Sequence, residues 1–149
     1  MIYSKPCEYA IRALSNLASA KDGTARADEI AAAENLPAPV LSKILQELVR
    51  KGLLKSRRGP GGGFQLARGA ELITLRDVVA ATDGLDQFQE CAVGLERCSD
   101  DSPCPLHDQW KDLRAGFLEY LQDTTLDVMA RTVKRKKELL RDLKKTSRT

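Results

Sequence analysis

Residues 59–63 read Gly-Pro-Gly-Gly-Gly, and no regular element runs through such a stretch. Proline removes a backbone donor and glycine loses the most conformational freedom on ordering, so the run has to be a loop. On either side stand Leu53-Leu54-Lys55-Ser56-Arg57-Arg58 and Phe64-Gln65-Leu66-Ala67. These short segments read as a strand and its return, and the glycines between them can take positive φ repeatedly and bring backbone close to another surface. Glycine-rich loops also cradle phosphates in nucleotide sites. That motif needs a strand–loop–helix order and a Lys-Ser/Thr pair, and neither follows here.

What precedes the hairpin gives it a role. Pro6 to Ala20 reads as an amphipathic helix with Tyr9, Ala13, Leu14 and Leu17 near a 3.6-residue period, and Lys21-Asp22-Gly23 ends it. Ala27 to Ala33 reads as a second, short helix of strong formers. Asn35-Leu36-Pro37-Ala38-Pro39 breaks the chain, and Val40 to Lys51 reads as a third helix that buries Val40, Leu41, Ile44, Leu45 and Leu48 and stops at Gly52. Periodicity by itself fits a plain helical bundle about as well as a helix-turn-helix. A hairpin with arginines at its base, directly after the third helix, favours a winged helix-turn-helix. On this reading Ser42, Lys43 and Gln46 face the major groove of double-stranded DNA. Arg57 and Arg58, with Gly59, Gly61 and Gly62 of the loop, enter the minor groove, where negative potential is concentrated. The expected fold class is mainly α with a small β-hairpin wing.

A second constellation lies further on. Three of the four cysteines and the sole histidine fall within seventeen residues, as Cys91-x6-Cys98-x5-Cys104-x2-His107. Thiolates and imidazole on an irregular stretch can converge on one metal centre, and three thiolates with one imidazole make a normal zinc shell. Disulfides suit a secreted domain, but the opening residues carry Lys5, Glu8 and Arg12 and show no secretory pattern, and no apolar run approaches the ~20 residues of a membrane span. A cytoplasmic protein with no membrane segment is expected. A cysteine-dependent redox enzyme needs a base and an orienting partner in a pocket, and no such acid–base pair is evident. A thiol-only redox switch built on Cys7 or on the triad stays open. Net charge is +4 over residues 1–75, −6 over 76–110 and +5 over 111–149, so the cysteines sit in an acidic middle between two basic ends.

Leu75 to Thr82 reads as a short linking helix ended by Asp83-Gly84. From Pro105 another helix carries Leu106, Trp110, Leu113, Phe117, Tyr120 and Leu121, with His107 expected about one turn in. That apolar stripe is too long for a small domain to cover by itself, and the same helix of a second copy would cover it in a two-fold homodimer. Thr125 is expected to cap a further short helix before a basic tail. The organisation expected is a DNA-binding domain over 1–75, a linker helix and cluster loop over 76–104, a dimerisation helix region over 105–135 and a tail over 136–149.

With those residues in hand, the chain resembles the Rrf-type bacterial winged-helix regulators over roughly residues 1–135. The motifs that carry the resemblance are Arg58-Gly59-Pro60-Gly61-Gly62-Gly63-Phe64, Cys104-Pro105-Leu106-His107-Asp108-Gln109-Trp110, and the opening to Leu14 with Tyr9-Ala10-Ile11-Arg12-Ala13-Leu14. The resemblance implies a homodimeric transcription factor, expected to repress, on a near-palindromic operator. It also implies an iron–sulfur cluster on Cys91, Cys98 and Cys104 whose state sets DNA affinity. Members with a histidine three residues after the last cysteine complete a [2Fe–2S] site with it, which corresponds to His107. Others hold a [4Fe–4S] cluster with an acidic residue of the other subunit, near the position of Glu8. The first spacing, x6, is one residue longer than the x5 typical of either group.

Overall fold

The computed structural model describes residues 2–146. Met1, at the start of the expected first domain, and residues 147–149, at the end of the expected tail, lie outside the described residues. The elements are α1 (Lys5–Ala18), β1 (Thr24–Ala25), α2 (Ala27–Glu34), α3 (Ala38–Arg50), β2 (Leu54–Arg57), β3 (Gly63–Leu66), α4 (Leu75–Thr82), α5 (His107–Asp123) and α6 (Leu126–Thr146), with 3-10 turns at Ala70–Leu72 and Asp86–Gln89.

Local chemistry sets the boundaries. The Ser4 hydroxyl caps α1 by accepting the Cys7 N–H at 3.2 Å. Asp83 at the end of α4 accepts the Ser4 N–H at 2.9 Å and the Ser4 hydroxyl as well, so the caps of two helices lock together. α2 ends at Asn35 in the left-handed region with φ 52°, a conformation asparagine tolerates. α4 opens with a reciprocal cap in which Thr74 accepts from the Asp77 N–H and Asp77 accepts from the Thr74 N–H. The α5–α6 junction is stitched against that point: the Leu75 N–H donates to Thr124 at 2.7 Å and the Leu126 N–H to Ile73 at 2.9 Å.

These joints enclose one core. Leu14 and Leu17 of α1, Ile30 of α2, Leu41, Leu45 and Leu48 of α3, Leu75, Val78 and Val79 of α4, and Leu121 and Leu126 from the α5–α6 corner are all fully buried together. At about 1.5–3 kcal/mol for each fully buried aliphatic side chain, this core is what fixes α3 and the wing relative to α5. A second link is polar. The buried Glu34 carboxylate at the end of α2 receives the Lys137 ammonium of α6 at 2.8 and 2.9 Å and the Asn16 amide of α1 at 2.9 Å. Arg12 lies alongside at 3.7 Å.

The fold is mainly α with a small antiparallel sheet in the order β1-β3-β2. The hairpin pairs Leu54 with Leu66 and Arg57 with Gly63. Its loop is sterically committed to glycine at two places: a Cβ on Gly62 would stand 2.5 Å from the Arg57 carbonyl, and one on Gly63 would stand 2.6 Å from that of Ala25. β1, two residues long, carries no periodicity and was not expected from sequence. Its pairing of Ala25 with Phe64 is what brings the chain that close to Gly63.

Four sequence expectations are corrected. Val40 is 44% exposed: α3 turns Leu41, Leu45 and Leu48 inward, so Val40 falls to the side. The helix also begins two residues earlier, at Ala38, because Pro39 fits a first helical turn. α5 starts at His107 and not at Pro105, after a turn closed by the His107 N–H on the Cys104 carbonyl at 3.0 Å. Thr125 precedes a helix of 21 residues, not a short one followed by a tail. No glycine or proline interrupts residues 126–146, Arg131 pairs with Asp127 at i,i+4, and Lys137 is anchored on Glu34.

Candidate functional site

Two faces carry the residues picked out in the sequence. The first lies where α2, α3 and the wing meet. Arg26, Ala27, Asp28, Ser42, Arg57, Gly59, Gly62 and Gly63 line an open cleft of about 550 Å³. The structure thus brings Ser42, Arg57, Gly59 and Gly62 together, while Lys43, Gln46, Arg58 and Gly61 stand exposed on the same helix and loop outside that lining. Arg26 is the residue that sequence reading missed. It precedes α2, donates its backbone N–H to Glu29 at 2.8 Å and points its guanidinium to Asp28 at 3.2 Å. The signal available in the sequence was a basic residue directly ahead of α2.

The second face is the loop of residues 90–106 at the head of α5. Cys91, Cys98 and Cys104 are free thiols, half-buried, with no disulfide among the described residues. Together with His107 they line a cavity of about 390 Å³. Among the described residues no three His, Cys, Asp or Glu side chains form a group that could hold a metal ion as they stand; Cys98 touches His107 at 3.1 Å, and Cys91 is hydrogen-bonded to Cys104.

The loop has a definite construction. A turn with Gly94 at φ 78° returns the Gly94 N–H to the Cys91 carbonyl at 2.9 Å, and the Cys98 N–H donates to Gln89 at 3.2 Å. Its entrance is fastened to α5, since the Trp110 indole N–H donates to the Glu90 carbonyl at 3.0 Å and Arg114 to that of Phe88 at 3.2 Å. Phe88 also packs its ring on Phe117 at 5.1 Å between centroids. The backbone N–H of Val93, then the Cys104 thiol and the N–H groups of Leu95 and Gly94, hold the Cys91 thiol below its ordinary pKa, which favours a thiolate. Burial acts the other way on Cys7 in α1, whose thiol is pushed up.

His107 is only 5% exposed and has both ring nitrogens engaged. Nδ1 lies 3.1 Å from the Cys98 sulfur and Nε2 lies 2.8 Å from Asp100 Oδ1. The Lys111 ammonium reaches the same Asp100 oxygen at 2.7 Å, and Lys111 first, then His107, draws that carboxyl down to about 2. Sequence reading gave Asp100 no role. Its signal was a carboxylate in the polar loop between two candidate ligands. Glu8, by contrast, sits on α1 with its carboxylate on Lys5 at 2.8 Å and near Arg12 at 3.9 Å, which holds it below its usual pKa.

Outward from the loop, the expected apolar stripe of α5 is uncovered in part: Leu106, Leu113 and Tyr120 are exposed, whereas Leu121 is fully buried and Trp110 and Phe117 are half-buried. Among the described residues no helix is long and apolar enough to cross a membrane.

Known proteins resemble this chain in sequence and in fold. The family described as Rrf2, iron-dependent transcriptional regulator, matches residues 3–132. The HTH-type transcriptional regulator IscR of Pectobacterium atrosepticum is 30% identical over 120 residues, covering 80% of this chain and 73% of that protein. Among solved structures, CymR of B. subtilis, the global cysteine regulator, superposes with a TM-score of 0.76 at 26% identity over 89% of this chain and 98% of its own. IscR of T. potens superposes with a TM-score of 0.70 at 25% identity, covering 89% and 88%.

Proposed function

Since the chain belongs to the Rrf2 family of winged-helix transcriptional regulators, we propose that it is a homodimeric DNA-binding regulator whose affinity for a near-palindromic operator is set by an iron–sulfur cluster on Cys91, Cys98, Cys104 and His107. The observation that carries this reading is the single cavity of about 390 Å³ lined by all four donors. Three sulfurs and one imidazole nitrogen suit iron–sulfur ligation. When bound, such a cluster supplies a one-electron centre whose potential rises where imidazole replaces thiolate.

The chain's own residues supply the rest. Cys91 offers a sulfur already inclined to thiolate, and His107 offers Nδ1 from the first turn of α5. Ligation of all four would tie residues 91–104 to that helix, next to the Trp110 and Arg114 contacts that already hold residues 88–90. α5 carries the partly uncovered stripe that a second copy would cover, and its Leu121 shares one core with Leu41, Leu45 and Leu48 of α3. That core would be the path from the loop and the proposed dimer contact to the proposed recognition helix. The spacing of two recognition helices must match half-sites about one helical turn or more apart, and a coupling of about 1–3 kcal/mol along that path gives a 5- to 150-fold change in affinity. Ser42, Lys43 and Gln46 would contact the major groove, with Arg57 and Arg58 in the minor groove and Arg26 on a phosphate.

Glu8 is the alternative fourth ligand, reaching a [4Fe–4S] cluster from the other subunit. Within its own chain Lys5 and Arg12 occupy its carboxylate. One observation favours a second reading, a thiol-redox or zinc regulator: three free thiols line one cavity, and the Cys98 sulfur already touches an imidazole. The test is visible absorption and electron paramagnetic resonance of anaerobically purified protein, with iron, sulfide and zinc assays, followed by affinity for a duplex selected from a random pool. A coloured protein of [2Fe–2S] stoichiometry whose DNA affinity shifts on metal removal is expected. Colourless protein carrying stoichiometric zinc would overturn the iron–sulfur claim, and a [4Fe–4S] content would move the fourth ligand to Glu8.

A further inference from the structure

We infer that Asp100, held in place by Lys111, is the positioning residue that sets the tautomer and ring orientation of His107 and so presents Nδ1 to the cysteine cavity. The inference rests on the reading of His107 as a ligand, and it follows from the hydrogen-bond arithmetic of a neutral imidazole. One ring nitrogen carries a proton and donates while the other carries a lone pair. An ionised carboxylate can only accept. With Asp100 Oδ1 at 2.8 Å from Nε2, the proton belongs on Nε2. The lone pair is then on Nδ1, the nitrogen 3.1 Å from the Cys98 sulfur on the cavity side.

Asp100 needs help to do this, because its side chain is 72% exposed and water competes for its oxygens. Lys111 provides the help from one turn along α5. Residues i and i+4 of a helix share a face, so His107 and Lys111 stand side by side and one loop oxygen bridges them at 2.8 and 2.7 Å. The loop is shaped toward that bridge by the Asp101 N–H, which donates to Ser99 Oγ at 3.1 Å. A carboxylate that accepts the far N–H of a coordinating histidine orients the ring and raises its basicity, and losing such a partner costs about 10- to 100-fold in metal affinity.

The test uses the full chain, and its sole histidine gives one set of imidazole nitrogen resonances. Nitrogen-15 spectra of metal-free protein at about pH 8.5, above the ordinary range of imidazole titration, read the tautomer directly. The wild type is expected to be the Nε2–H form, Asp100→Ala a mixture, and Asp100→Asn, which keeps an acceptor oxygen, close to the wild type. In reconstituted protein Asp100→Ala should lose iron about 10- to 100-fold more readily, with Asp100→Asn rescuing part of that. A role confined to loop structure would leave the tautomer untouched. A wild-type tautomer in metal-free Asp100→Ala, or a wild-type Nδ1–H form, overturns the inference. Failure of the cofactor reading shows separately, as wild-type protein that takes up no iron.

Discussion

Glu34 and His107 are both buried ionisable residues at the end of a helix, Glu34 with partners 18 and 103 residues away and His107 with partners 7 and 9 residues away. They differ in what surrounds them. Both oxygens of Glu34 are occupied by Lys137, with Asn16 and Arg12 added from α1, and every one of these partners sits on a helix. His107 has one nitrogen committed to a loop carboxylate and the other turned to a sulfur at the wall of a cavity. A saturated buried charge fastens elements together. Both residues line a cavity, of about 240 Å³ at Glu34 and about 390 Å³ at His107, and the second is the one that three thiols also line. Burial alone does not separate structural from functional polar residues; the chemistry of the groups around them is what distinguishes the two places.

The largest expected effect breaks the comparison on the functional side. Cys104→Ser should abolish cofactor retention and, with it, the metal-dependent shift in DNA affinity. It should change the unfolding free energy of metal-free protein by less than about 0.5 kcal/mol, because the site is half-exposed and adds little to the core. Metal analysis and denaturant unfolding on the same preparation check both halves. A Cys104→Ser protein that unfolds early would make the loop a structural element after all.

Glu34→Ala is the converse. It removes the acceptor for Lys137 and Asn16, but the two cationic partners are partly exposed and regain water. The cost is therefore expected at about 2–3 kcal/mol, below that of a fully buried broken pair. Denaturant midpoints should fall with unchanged slope, while iron content per folded chain stays at the wild-type level. Loss of iron with retained stability would assign Glu34 to the site.

The same contrast explains what the sequence disclosed. The gathering of Cys91, Cys98, Cys104 and His107 on one cavity, the hairpin and the polar face of α3 were legible because each depends on residue type at short spacing. Helix α4 was legible through the turn of Asp83-Gly84. The Glu34 junction was not, since Asn16, Glu34 and Lys137 are separated by up to 103 residues and each looks like a solvated charge or amide by itself. Asp100 was hidden differently: Ser99-Asp100-Asp101-Ser102 reads as polar loop, and only the fold shows which carboxylate faces the imidazole. The length of α6 was misjudged because a run of basic residues suggests a tail, whereas an uninterrupted stretch of helix formers anchored on a buried carboxylate continues as a helix.

The DNA face gives a reading independent of both centres. Arg58→Ala should weaken specific operator binding by about 1–3 kcal/mol, or roughly 5- to 150-fold, and reduce the salt dependence of binding. It should do so whether or not metal is bound, with stability and iron content unchanged, because Arg58 is exposed and touches neither centre. Fluorescence anisotropy across a salt series measures it, and unchanged affinity would remove the wing from the interface.

The smallest effect is a difference in rate between thiols of one metal-free chain. Backbone N–H groups hold Cys91 below the ordinary thiol pKa, and burial holds Cys7 above it. A thiolate is the reactive form, so at mildly alkaline pH iodoacetamide should label Cys91 ahead of an ordinary exposed thiol. Cys7, with no exposed surface in the core, should label only as fast as the chain opens. The sign with pH is fixed by the same shifts: the Cys91 advantage is greatest below the ordinary thiol pKa and shrinks above it, where any accessible thiol is ionised. Mass spectrometry of timed digests measures the order. If Cys7 reacts as early as Cys91, the first turn of α1 opens far more readily than its cap on Asp83 and its packing allow, and the division between a fixed core and an open loop fails at that end of the molecule.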